Sequence, residues 1–555
     1  DSAIDRALGL ASDGTLGWVY SFISPWMCFL MRPLYLLKNI SWWYFFQHLL
    51  VILSIWIINL RLLQMLELRE IKLRYSLPFL TLTNIVLFFP WVSFITFTTT
   101  PAIMAGAAII LVISGKIEEN KGFHTKVLPT MIFVLALLMR WESGTAILPF
   151  VMLSYLVAEL AKERFDVKSV VKLAKIYATY VGLTLAIVLS GNSILKAIHG
   201  EDYLSYEYAR TSYVDYPVDS IEINPEIYAT VGWDENIAHL PWNHLMDENT
   251  EDALLYIVEN SFSSPQNYPK PLMFLNGVKA TLTVPEMLTY FVVALVFSLS
   301  ALIVILASKN KKTLISWLFN NLGAVAIASY VMITGRWLDR AEVVIVIPTS
   351  IINIGLLLIA WNNRKETKFT ADKLFKTLSV ACAVPLTVCS IYLLQAKHEL
   401  GKLYEQFETV QLAWDDYLVA HTENIYIEEI GTTSRMSWKR NPGYEIDNFT
   451  YTGGCGWMSA SWKAWNERHG FGEVLTTESF KRNEVFYVAK LGDDMRRYVS
   501  YMMEHHGALG IAIVDEPKGM ENVYVTHFVF EDNKADYDQV YAFEDDEMVM
   551  VSDNK

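Results

Sequence analysis

Cysteine is scarce in this chain. Its 555 residues carry four: Cys28, Cys382, Cys389 and Cys455. One of them, Cys455, falls in the region read below as a soluble domain, so no disulfide framework is expected to hold that domain together. Cys382 and Cys389 share one apolar stretch and suit small packing residues better than metal ligands. No zinc-ligand spacing, Walker loop, dinucleotide fingerprint after a strand or His-Glu-x-x-His helix is present, so ATP hydrolysis by the chain is not expected. No cofactor is expected, with a divalent metal left open. Net charge is −14, but the excess acid sits in residues 192–283 and in the carboxy-terminal part, ending in the run 531–553. Nucleic acid is excluded as a partner, because binding to it rests on Lys and Arg contacts to phosphates.

Long apolar runs are abundant. Ten of them, 41–63, 76–96, 98–115, 126–140, 144–161, 170–190, 284–307, 313–334, 341–361 and 374–395, approach the roughly 17–25 residues that a bilayer core requires. The chain therefore reads as mainly α, a polytopic transmembrane helix bundle over 1–395. The pair 126–140 and 144–161 flanks Arg140, Trp141, Glu142 and Ser143, either as two tilted helices or as a hairpin whose charged tip faces a cavity. Lysine and arginine fall in every second loop: Arg69, Lys72 and Arg74; Lys116, Lys121 and Lys126; Lys162, Arg164, Lys168 and Lys172; Lys309, Lys311 and Lys312; Arg364, Lys365 and Lys368. Those loops are predicted to be cytoplasmic. The expected location is the cell membrane, multi-pass, with 1–40, 140–143, the long loop 192–283, the turn 336–340 and everything after 396 outside. An even number of spans with residue 1 outside predicts a transmembrane helix upstream of Asp1.

The outer parts carry the candidate chemistry. Residues 1–40 place Asp1, Asp5 and Asp13 beside an aromatic stretch from Trp18 to Tyr35, suited to short helices in the interface; an anchor is the simpler alternative. The loop 192–283 is long and rich in Tyr and Trp, which disfavours disorder, so it is expected to fold over the bundle. Within it Arg210, Asp215, Trp233, Asp234 and His239 mix carboxylates with aromatic faces. That mixture suits a sugar ring or lipid headgroup, or a simply packed cap. Arg336 and Arg340, in GRWLDR, and Arg140 with Glu142 interrupt apolar spans. Guanidinium forks match phosphate oxygens, although an anchor snorkelling to lipid headgroups has the same composition. From 396 to 555 the pattern becomes that of an extracellular soluble α+β domain: a helix over 397–420, strands at 424–430, 484–491, 508–516 and 521–532, and a helix over 493–507 ending at Gly507. The turn 451–462 fits a close backbone approach to a ligand or a plain loop. Asn39 and Asn448 begin Asn-x-Ser/Thr triplets.

Taken together, DSAIDRALGLASDGTLGWVYSFISPW at the start, WWY at 42–44, FTTTPAIMAGA at 97–107, RWES at 140–143, YARTSYVDYP at 208–217, GRWLDR and the GGCGW turn resemble a group of Gram-positive bacterial membrane proteins similar to GT-C glycosyltransferases. The resemblance covers nearly the whole chain. It implies a polyprenyl-phosphate sugar donor and an acidic catalytic base in the first outer loop. That group opens the loop with two adjacent acids; Asp1 matches the second, and the first is not in this chain. The resemblance also implies that Arg336 and Arg340 lie near the lipid phosphate and that 192–283 covers the active site.

The expected function is thus transfer of a sugar from a polyprenyl phosphate to a cell-surface glycan acceptor, with inversion, Asp1 as base and Asp5 second, among membrane lipids. Alternatives are a flippase or transporter for a lipid-linked oligosaccharide, or a polysaccharide polymerase or ligase. No internal repeat favours alternating access.

Overall fold

The computed structural model describes residues 23–37, 40–117, 123–161, 165–240, 247–248, 250–362, 371–429, 432, 446–452, 460–472, 475–544 and 547–553. The chain is mainly helical, and among the described residues six helices are long and apolar enough to cross a membrane, as in a membrane protein.

Each of the ten apolar runs is helical, with differing lengths. The first elements are α1 (Pro25–Leu37), α2 (Trp42–Glu67), α3 (Leu73–Leu87), α4 (Phe89–Ser93), α5 (Thr100–Ile117), α6 (Phe123–Met139), α7 (Trp141–Leu160) and α8 (Val167–His199). After an insertion come α14 (Pro285–Ser308), α15 (Lys311–Ile333), α16 (Asp339–Asn362) and the 50-residue α17 (Ala371–Ala420). The six long apolar helices are α2, α7, α8, α14, α15 and α16; α5 and α6 contribute shorter apolar stretches. The run expected at 76–96 is broken at Phe88, where α3 stops and α4 restarts at Phe89–Pro90, because proline at the second helical position begins a turn without needing its missing N–H.

α16 is buried among its neighbours from Glu342 to Trp361 and sits with α5 at the centre. Gly355 permits that approach: a Cβ there would meet Ile113 Cδ1 at 2.9 Å. At Gly144 a Cβ would meet the Leu137 Cα at 2.7 Å, so the α6–α7 hairpin closes backbone to backbone. Buried amides knit the remaining helices. Asn320 Nδ2 donates to Thr349 O (3.0 Å) and to Asn353 Oδ1 (3.1 Å), joining α15 to α16. Cys382 lies 2.9 Å from Ser300 Oγ and Cys389 is buried, both as packing residues.

The insertion carries α9 (Glu201–Val214), α10 (Pro225–Thr230), α11 (Glu235–Ala238), α12 (Glu251–Asn260) and α13 (Lys270–Thr283). Beyond α17 lie β1 (Ile425–Glu428), β2 (Phe449–Tyr451), α18 (Ala460–Arg468), β3 (Val485–Lys490), α19 (Asp493–His506), β4 (Gly510–Asp515), β5 (Val523–Val529), β6 (Gln539–Glu544) and β7 (Glu547–Asp553). The sheet order is β2-β1-β3-β5-β4-β6-β7; β1 is parallel to β2 and β3, and the remaining pairs are antiparallel. The unit β3–α19–β4 is a crossover between parallel strands, and β5 returns to fill the gap between them. α19 ends at Gly507 in the left-handed region (φ 70°), as its sequence predicts.

Period-two alternation puts the two main cores of this sheet on opposite faces. Ile425, Ile427, Tyr487 and Phe528 face α19, whose Met495, Tyr498, Val499 and Met502 cover them. Tyr426, Val488, Val523 and Val525 face the end of α17, where Trp414 and Leu418 are buried. Two expectations about domain limits therefore change. The boundary at 395/396 falls inside α17, a helix that continues unbroken from the bundle onto the sheet. The segment 201–260 joins the core under α19 through Tyr206, Tyr213, Tyr228, Leu254 and Ile257, making one module with the carboxy-terminal strands. Asn448 is buried and its Nδ2 donates to Leu418 O (3.1 Å) and His421 O (2.9 Å), so that amide fastens the end of α17. Cys455, Asn39 and most of the turn 451–462 lie outside the described residues.

Candidate functional site: an arginine cluster at one end of the bundle

Three segments far apart in sequence meet where α6 passes into α7. Arg140 stands between them in extended conformation (φ −154°, ψ 111°), since Met139 ends one apolar helix and Trp141 begins the next. Its Nη1 donates to Thr98 Oγ1 (2.6 Å), its Nε lies 3.5 Å from Glu142 Oε2, and its guanidinium stacks 4.6 Å from the Phe97 ring. Burial lowers its pKa; the Glu142 charge opposes that, Arg336 and Arg340 add to it, and Asp215 opposes it. Those four charges are thus within electrostatic reach of Arg140.

Arg336 arrives from the turn between α15 and α16, and Arg340 from the first turn of α16. Gly335, in the left-handed region (φ 80°), ends α15 and turns the chain. Trp337 Nε1 donates to Thr281 Oγ1 (2.9 Å), fixing the turn on α13. Arg336 pairs with Asp215 and lies 5.2 Å above the Tyr216 ring. Asp215 is the residue that caps the end of α9. Arg340 is exposed, and its guanidinium has no hydrogen-bond or ion-pair partner among the described residues. Of the three guanidiniums, two are paired with carboxylates, Arg140 with Glu142 and Arg336 with Asp215, and that of Arg340 is open to solvent. Such a group holds phosphate oxygens well, because guanidinium forks donate in fixed directions.

α1 docks against the same end. Ser24 N donates to Leu138 O (3.1 Å), two residues before Arg140, and Trp26 Nε1 donates to Ser190 Oγ (2.9 Å). Asp1 and Asp5 lie outside the described residues.

Sequence patterning missed a carboxylate here. Glu342, one turn along α16 from Asp339, is 3% exposed, and its Oε2 has no hydrogen-bond partner among the described residues. Asp339, Glu342 and Glu286 act electrostatically on Tyr290, and Lys397 lies 4.0 Å from Glu286 and 5.2 Å from the Trp91 ring. The signal was present: an acid inside a span is costly unless employed. It was absorbed into the apolar run 341–361.

The other expected ligand groups are engaged elsewhere. Arg210 is buried and grips Glu207 with two bonds, Nε to Oε2 (2.9 Å) and Nη2 to Oε1 (2.7 Å). Burial raises the Glu207 pKa, and Arg210 opposes the rise. Trp233 is 2% exposed, with Tyr213 and Tyr228 against its ring, so it packs the module core and has no open face for a sugar. Asp234 caps α11 through Ile237 N (3.0 Å) and meets His505 Nε2 (2.8 Å). His239 lies 3.2 Å from Glu222.

Asp234 and His505 belong to a seam joining the insertion to α19. Asn236 Nδ2 donates to Glu504 Oε2 (2.6 Å), Tyr501 OH to Glu248 Oε2 (2.5 Å), and Asp247 accepts from Thr477 N (3.1 Å). Carboxylate or imidazole atoms of Asp234, Glu504 and His505 lie within 4.8 Å of one another, a set able to hold a metal ion on an exposed surface.

No family model matches the chain, and neither a curated protein nor a solved structure shows significant similarity to it.

Proposed function

We propose that the chain is a membrane glycosyltransferase of GT-C type that moves a sugar from a polyprenyl phosphate to a cell-surface glycan on the outer face of the membrane. The observation that carries this reading is that Arg336 and Arg340 lie within electrostatic reach of Arg140 at one end of the bundle. Apolar helices give access to a lipid tail, and the guanidiniums receive the phosphate to which it is attached.

The reaction needs one base and one charge sink. The acceptor hydroxyl gives its proton to a carboxylate while its oxygen bonds to the anomeric carbon. The bond from that carbon to the phosphate oxygen breaks, and the departing phosphate keeps the electron pair. A single displacement inverts the anomeric centre. The arginines stabilise the charge that grows on the leaving phosphate, the larger contribution in such sites. A positioned base adds roughly 10²–10⁴-fold. Asp1 takes that role here, with Asp5 second. The docking of Ser24 beside Leu138 supports it by bringing the first described residues to the arginine end.

The carboxy-terminal sheet then presents the acceptor. Support comes from continuity: Tyr213 lies in the core shared with the sheet, and Asp215, two residues later, pairs with Arg336. An acceptor bound on the module is thereby mechanically joined to the phosphate site.

The test is transfer of radiolabel from polyprenyl-phosphate sugars to a glycan by the full chain in liposomes. Label should reach polymer with the native chain and fail to do so with Asp1→Asn. Label that crosses the bilayer unchanged while no sugar is transferred would replace the enzyme reading with a flippase.

A further inference from the structure

We infer that the opposite end of the bundle holds an anionic phospholipid by its headgroup phosphate. α6 has 17 residues, so its two ends stand about 25 Å apart. At the end away from Arg140, helices α5 to α8 surround a cavity of about 820 Å³. Lys126, Lys168, Lys172 and Lys175 line it, with Glu159 the one carboxylate among its described lining residues. Four ammonium groups against one carboxylate leave three positive charges.

The lysines stand around a recess. Glu159 is 3% exposed and pairs with Lys172, which draws that ammonium to the wall. Lys126 and Lys175 have no carboxylate at ion-pair distance among the described residues. The neutral polar floor is satisfied without a ligand: Thr130 Oγ1 donates to Lys126 O (2.9 Å), and Tyr180 and Tyr155 continue the chain of hydroxyls at 3.0 Å steps. The ammonium groups are what remains to be neutralised.

The cavity opens beside the lipid-facing surface of α8, which favours a lipid as the source of the anion. Val167 and Val171 line the cavity and are 77% and 49% exposed. Val181, Leu185 and Leu189 continue the same exposed stripe of α8, since residues separated by 4, 14, 18 and 22 positions fall on one helix face. Twenty-two residues of rise span about 33 Å, close to the thickness of a hydrocarbon core. A phosphate in the cavity thus has an acyl track leading away from it.

The experiment titrates the purified full chain, in neutral detergent, with phosphatidylglycerol, with phosphatidylcholine of the same tails, and with free glycerol 3-phosphate, read by native mass spectrometry. One phosphatidylglycerol should be retained at least tenfold more tightly than phosphatidylcholine. Glycerol 3-phosphate should not displace it. Lys126→Gln with Lys175→Gln should weaken retention roughly tenfold or more, since each lysine facing anionic lipid contributes measurably. The Arg pair at the same positions should retain it, and both double variants should melt like the native chain because these side chains are exposed. Equal retention of the two lipids, unchanged binding by the Gln pair, or displacement by glycerol 3-phosphate would each overturn the inference.

Discussion

The two ends of the α6–α7 hairpin solve opposite problems with the same sign of charge. At one end arginines are held: Arg140 by Thr98, Glu142 and Phe97, Arg336 by Asp215 and Tyr216. At the other, Lys126, Lys168 and Lys175 are exposed around the Glu159–Lys172 pair. A planar, pre-oriented guanidinium suits a group whose charge changes during a reaction. A mobile, strongly hydrated ammonium suits holding a ligand of fixed charge. The contrast fits the proposal that the first end carries the chemistry and the second retains a lipid.

Arg336→Ala should give the largest effect. Losing a charge-assisted contact and stranding Asp215 should reduce label transfer about 100-fold, on the scale of 1.5–3 kcal/mol for a bond to a charged group. Arg336→Lys should recover less than a tenth of the native rate. Full recovery would erase the distinction between the two ends, because charge alone would then suffice. The Lys126→Gln, Lys175→Gln pair should leave transfer in detergent within about twofold of native, a comparison that needs only the same label assay.

Glu342→Gln comes next. Replacing a buried carboxyl group whose Oε2 lacks a hydrogen-bond partner with a neutral amide of the same shape should leave the melting temperature unchanged or higher while transfer falls about tenfold. A fall in stability with native transfer would make Glu342 a structural residue. Tyr501→Phe should be milder still. It removes the bond to Glu248 across the seam and should speed hydrogen exchange in 201–260 by about fivefold, on the scale of 1 kcal/mol for one hydrogen bond.

The smallest effect concerns Asp219. Burial pushes its pKa up, but Ser263 Oγ (2.5 Å), Phe262 N (2.7 Å) and Ser263 N (3.1 Å) donate to it and the net shift is downward. A depressed carboxylate contributes stability above its unfolded value, near 3.8. That contribution is lost as pH falls through the lower folded value. Asp219→Asn should flatten the acid side of the stability profile below about pH 4, followed by circular dichroism.

Much of this was legible in the residues, for physical reasons that differ by element. The apolar runs announced the helices because hydrocarbon length is a hard constraint, and Gly507 announced the end of α19 because its backbone needs positive φ. Strands β3, β4 and β5 alternate plainly enough to be placed within a few residues. Arg140, Arg336 and Arg340 stood out because charge beside an apolar run is costly. What the sequence hid was partnership. Trp233 looks the same as an open platform and as a core ring, and Tyr213 and Tyr228 decide for the core. The helix expected over 397–420 is the far half of α17, since helical backbone need not stop where hydrophobicity does. The shared core of 201–260 and the sheet joins segments separated by some 200 residues, which periodicity along the chain does not report.

The most direct test of a single phosphate site at the arginine end is a double-mutant cycle on polyprenyl-phosphate binding with Arg140→Ala and Arg336→Ala. Groups that grip one phosphate should couple, with an interaction energy of about 1–3 kcal/mol. Losses that add to within about 0.3–0.5 kcal/mol would show the two arginines acting on separate surfaces, and the proposed chemistry would have no site.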